Sequence, residues 1–121
     1  MVQQPDFQFV FTQIKNILLK YEPRLVLQAN ERGYYSLAMP YVEKYGKEVF
    51  FGAVKINKNY VSFHLMPIYA SPGLLKNLSP ELRARMHGKS CFNFRNINPE
   101  LVKELTLLTE RGFVHFKEFS R

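Results

Sequence analysis

The chain has 121 residues, 46% of them hydrophobic, with eleven Phe, seven Tyr and no Trp. That is the size of one domain with a real core, and no apolar stretch approaches the roughly 20 residues needed to cross a bilayer. A formal charge of +7 favours acidic partners over cations, and a single Cys excludes both an internal disulfide and a Cys-rich metal centre.

The start, MVQQPDFQF, lacks the basic head and continuous apolar run of a signal peptide. A soluble protein of a reducing, cytoplasmic compartment is expected, with residues 1–121 as one unit free of repeats and linkers. Residues 6–21 place Phe7, Val10, Phe11, Ile14, Ile17, Leu18 and Tyr21 at three- and four-residue spacing, the stripe of an amphipathic helix that Pro23 ends. Leu25–Gln28 reads as a short strand and the following ANERG as a turn. Tyr34–Met39 and Val49–Ile56 are strands by their aromatic and β-branched content. The turn Asn57-Lys58-Asn59 then folds the second of these back onto a strand over Tyr60–Met66, since Asn tolerates the left-handed backbone of tight hairpins.

Two Ser-Pro pairs follow. Ser71-Pro72 and Ser79-Pro80 each offer a hydroxyl cap and a first-turn Pro. The second of these helices is predicted to reach Met86, with Gly88 as its left-handed end. Ser90–Arg95 is a further strand. Asn98-Pro99-Glu100 opens a last helix whose stripe is Leu101, Leu105 and Leu108, with Gly112 as its stop. The tail FVHFKEF fits either a further helical turn or an edge strand.

These elements make an α+β fold, a single antiparallel sheet of about five strands with the N- and C-terminal helices on one face. The pleat sorts side chains in Tyr60–Met66 so that Val61, Phe63 and Leu65 face the helices, while Tyr60, Ser62, His64 and Met66 point away. Phe92 and Phe94 likewise turn Cys91, Asn93 and Arg95 outward, and Lys55 marks Phe51 and Ala53 as outward on its own strand. The helix-free face therefore collects Phe51, Lys55, Ser62, His64, Cys91, Asn93 and Arg95, a mixture suited to binding.

The segments EVFFGAVKINKNYVSFHLMPIY and LSPELRARMHGKSCFNF, followed by a leucine-striped helix, resemble the YdhG-like family of uncharacterised domains. The resemblance covers roughly residues 5–112, and the VSFHLMP and GKSCFNF blocks are its most specific parts. It implies a small α+β domain, mainly bacterial, without established enzymatic activity, and some relatives are described as frataxin-like iron chaperones. Iron binding of that type needs a carboxylate-rich first helix. Here that helix has Asp6 near its start, Glu22 at its end and nothing acidic between them, so iron is not carried over.

Each chemical motif has a plainer alternative. Gly88-Lys89-Ser90 echoes the end of a phosphate loop, but Arg83 occupies the place of the pattern's first Gly and the order is helix then strand. His64 and Cys91 on neighbouring strands fit a nucleophile–base pair, yet no residue is visible to orient the His, and Cys commonly packs as a small apolar group. His64, His87, Cys91 and His115 match no zinc spacing, so no metal and no cofactor are expected. Arg83, Arg85, His87, Lys89 and Arg95 form the densest basic cluster. One reading of the cluster is ordinary charge placement at a helix C-terminus; the other is anion capture, with Lys89 and Arg95 as the pair expected to act together. The expectation is a non-enzymatic binding domain with an anionic ligand on Phe51, Lys55, Ser62, His64, Lys89, Cys91, Asn93 and Arg95. A nucleic-acid-binding module using Tyr34, Tyr35, Phe51 and Tyr60 as stacking surfaces is the alternative, followed by a frataxin-like chaperone and a Cys/His-dependent enzyme.

Overall fold

The computed structural model describes residues 6–42 and 47–119. Helix α1 spans Phe7–Leu19 and starts where the Asp6 carboxylate accepts the backbone N–H of Phe9 at 3.0 Å, which satisfies one of the free donors of a helix N-terminus. Its stripe Val10, Phe11, Ile14, Ile17 and Leu18 is buried. A 3-10 turn over Glu22–Arg24, with Pro23 near its start, redirects the chain.

Five strands follow: β1 Val26–Glu31, β2 Tyr34–Val42, β3 Lys47–Ile56, β4 Val61–Leu65 and β5 Cys91–Phe94. They form one antiparallel sheet in chain order, β1-β2-β3-β4-β5, so each strand lies beside its sequence neighbour. Between β4 and β5 run helix α2 (Met66–Ala70), a 3-10 turn over Pro72–Leu75 and helix α3 (Pro80–Arg83). Helix α4 occupies Pro99–Phe119. Its start is capped by Asn98, whose side-chain oxygen accepts from Leu101 N at 2.8 Å.

Helix α1 packs on β3 and β4, and α4 packs on α1, α2 and α3. The core joins Phe11, Ile14 and Leu18 to Leu37, Val54, Phe63, Leu65, Phe92 and Phe94, and Leu101, Leu105 and Leu108 of α4 close it. In β4 the burial alternates strictly, with Val61, Phe63 and Leu65 buried and Ser62 and His64 half-buried. The period-two register expected for this strand is the one found.

Several boundaries differ from those expected, each for a local reason. Strand β1 continues to Glu31, and the turn is confined to Arg32-Gly33. Met66 opens α2 instead of ending β4, because Pro67 supplies no ladder donor but suits a first helical turn. Helix α3 stops at Arg83 and does not reach Met86. Met86 instead bridges Phe92 as a strand residue. Gly112 does not stop α4, which passes through it, and the tail is helical as far as Phe119.

Candidate functional site

Pairing across the sheet defines the helix-free face row by row. Ala53 faces His64, which faces Cys91, and Lys55 faces Ser62, which faces Asn93. Residues directly opposite one another point to the same side. His64, Cys91, Lys55, Ser62 and Asn93 therefore share that face.

Phe51 does not, although the alternation from Lys55 had put it there. Leu37 pairs with Gly52 but Ala38 pairs with Phe50, so Phe51 is an extra residue on β3. Such a bulge reverses the side-chain parity beyond it. Phe51 is fully buried against the rings of Tyr21, Phe113 and Phe116. Phe50 takes its place on the outer face, its ring edge-on to the His64 imidazole at 5.0 Å. A second bulge at Gln28 of β1 lays that side chain over the face, where it accepts from the Ser36 hydroxyl at 3.2 Å.

The outer edge of β5 is not bare. His87 N donates to Cys91 O at 2.8 Å and Asn93 N donates to Arg85 O at 2.8 Å, flanking the Met86–Phe92 bridge. Residues 85–87 thus add a short sixth segment, turned by Gly88 at φ +83°, a backbone that suits Gly. Antiparallel pairing sets Arg85 opposite Asn93 and His87 opposite Cys91. The rows become Ala53–His64–Cys91–His87 and Lys55–Ser62–Asn93–Arg85. The sequence signal for this segment was the alternation Arg85-Met86-His87, polar around one apolar residue, just before a Gly.

Arg95 extends from the end of β5, with one guanidinium nitrogen 3.4 Å from Asn59 O in the β3–β4 turn. A cleft of about 410 Å³ opens there, lined by Arg85, His87, Arg95, Asn59, Asn93 and Tyr60. Among the described residues, no Asp or Glu lines it. Tyr60 is 36% exposed.

Lys89 is not part of this constellation. Its ammonium stands 6.0 Å from the Tyr69 ring centroid, and it lines a separate cleft with Ile68, Pro72 and Leu75. Met86 borders both clefts, so the residue 85–87 segment divides Lys89 from Arg95. Their expected partnership is corrected. Arg83 is likewise committed elsewhere, donating to Leu75 O at 2.8 Å. Among the proposed stacking rings, Tyr35 is buried in the core and gives its hydroxyl proton to Glu22 at 2.7 Å. Tyr34 is half-buried near Lys55, whose ammonium stands 5.8 Å from the ring centroid.

The His64–Cys91 pair is adjacent but not poised for nucleophilic chemistry. Burial pushes the Cys91 thiol up and the His64 imidazole down. Both shifts favour the neutral forms, the opposite of a thiolate–imidazolium pair. Among the described residues, no group of three or more His, Cys, Asp or Glu side chains stands close enough to hold a metal ion, and no helix is long and apolar enough to cross a membrane.

No family model, curated protein or solved structure matches this chain.

Proposed function

We propose that this is a non-enzymatic binding domain that seats a phosphate- or carboxylate-bearing ligand in the cleft of Arg85, His87 and Arg95. The observation that carries this reading is that Arg85, His87, Arg95, Asn59 and Asn93 line one cleft with no Asp or Glu among the described residues lining it. Arg presents a planar fork of donors that matches phosphate and carboxylate oxygens in pairs. The net charge of +7 adds a long-range attraction for anions. A binding role is also favoured over catalysis by the neutral His64 and Cys91, and over an iron-chaperone role by the lack of clustered oxygen ligands among the described residues. A reducing compartment and kinship with YdhG-like domains belong to the same reading; the kinship rests on the VSFHLMP and GKSCFNF blocks.

A thermal melt tests it. An anion that binds the folded state alone raises the melting temperature, so phosphate or citrate will stabilise the protein more than chloride at matched ionic strength. Arg85→Gln with Arg95→Gln will remove that selective gain, whereas Lys89→Gln will keep it. General salting-out acts on all three proteins alike, so the difference between them is the readout. A double variant that retains the full gain rules out the cleft.

A further inference from the structure

The cleft does not stand alone on its face. The row Lys55–Ser62–Asn93–Arg85 leads into it across β3, β4, β5 and the edge segment, three strand spacings or about 14 Å. Lys55 is exposed and Arg85 half-buried, with the exposed Lys58 at the neighbouring hairpin tip. The polar pair between the two end cations, Ser62 and Asn93, is half-buried, and Ser62 is held by the Asn57 amide at 3.1 Å. Positive charge is therefore laid out as a line, too long for one phosphate group. Continued past Lys55, the row reaches Tyr34 and then Glu31, where the sign reverses and the line ends.

At the cleft end of this line the exposed Tyr60 ring stands beside Asn59 and Asn93. An exposed ring offers a stacking surface for any base, and amides offer both donor and acceptor to a base edge. Among the described residues, α1 and α4 pack together, and α1 lies on β3 and β4 from the opposite face of the sheet, which leaves this one without a packed helix to present to a duplex groove. An open sheet face bearing aromatic and basic groups is instead suited to unpaired bases splayed across it.

From this arrangement we infer that the face binds single-stranded nucleic acid, with a base stacked on Tyr60 and phosphates along the strand held by Arg95, Arg85 and Lys55. The inference rests on the anion-binding reading of the same cleft and extends it to a strand. A mononucleotide engages one end of the row only. A strand engages its whole length, and so binds more tightly and with a steeper response to salt.

The test is fluorescence anisotropy with labelled decauridylate and decathymidylate over a salt series, with UMP, a duplex of equal length and polyglutamate as competitors. Each phosphate neutralised on a single strand contributes about −0.7 to the slope of log K against log salt, so three cations give a slope near −2. Arg85→Gln and Lys55→Gln will each flatten it by about 0.7. Tyr60→Ala will weaken binding about tenfold with the slope unchanged, and Tyr60→Phe will restore it, because a stacked ring contributes without charge. Either decamer bound at least tenfold more tightly than the duplex and polyglutamate supports the strand. Duplex or polyglutamate competing as well as the decamers overturns it, as does a Tyr60→Ala protein that binds like the wild type. If the decamers fail to bind while phosphate still raises the melting temperature through Arg85 and Arg95, the strand is wrong and the anion cleft stands. If neither effect is seen, both fall.

Discussion

Gly112 of α4 lies directly against Pro67 of α2: a Cβ built at position 112 would stand 3.1 Å from Pro67 Cβ and 3.4 Å from Pro67 Cγ. The glycine is therefore a contact residue inside a helix, and its bare Cα lets α4 approach the start of α2. Mid-helix Gly normally costs about 1 kcal/mol relative to Ala. Here the ring it faces is rigid and buried, so the neighbour has little freedom to yield.

Gly112→Ala is accordingly expected to destabilise despite its better helix propensity. Overpacking of about 1–3 kcal/mol outweighs the propensity gain of about 1 kcal/mol, leaving a net loss of up to about 2 kcal/mol. Gly112→Val, with two further methyl groups and a stiff χ1, is expected to lose more. Urea melts measure both, and an alanine variant more stable than wild type would show that the helices part without strain.

The bulge on β3 makes a second expectation. Phe51→Ala removes a fully buried ring from contacts with Tyr21, Phe113 and Phe116 and should cost about 3–5 kcal/mol. Phe63→Ala, on the same face of the adjacent strand, should cost a similar amount. Phe50→Ala on the outer face should cost clearly less, and Ser62→Ala less again. Equal losses at positions 50 and 51 in denaturant titrations would mean that the parity switch is absent.

The third expectation is a pH dependence carried by His64. Burial lowers its folded pKa below the ordinary value of 6.5, so the unfolded chain binds the proton more readily. Stability is then complete above about pH 6.5 and declines as pH falls through the lowered folded value. His64→Gln should flatten the stability profile below about pH 6.5. Among the described residues, the groups beside the imidazole on this face are Phe50, Ala53 and Cys91, none of them a carboxylate that would reverse the sign. A variant whose acid limb matches the wild type would assign that limb to other groups.

The raised pKa of Cys91 gives the fourth. The thiolate is the reactive species, so at pH 7 iodoacetamide should modify native Cys91 more slowly than the same residue in urea-unfolded protein. Faster labelling of the native form would revive the Cys/His enzyme.

Much of this architecture is local and was legible in the residues alone. The stripe of α1 repeats at helical spacing, and Val61, Phe63 and Leu65 repeat at strand spacing around a turn of Asn residues. Each pattern depends only on neighbours within a few positions, and each found the face it implied. The open face was legible for the same reason, through Lys55, Ser62, His64, Cys91 and Asn93. What only the tertiary structure decided depends on partners distant in sequence. An extra residue at Phe51 is visible only against the register of β2. Gly112 reads as a helix stop until Pro67, 45 positions earlier, is seen beside it. Arg85 and His87 look like the end of a helix, yet backbone groups of Asn93 and Cys91 draw them into the sheet and away from Lys89. Alternation and helical period are short-range consequences of backbone geometry, whereas bulge parity, close approach and edge pairing are set by where the rest of the chain comes to lie.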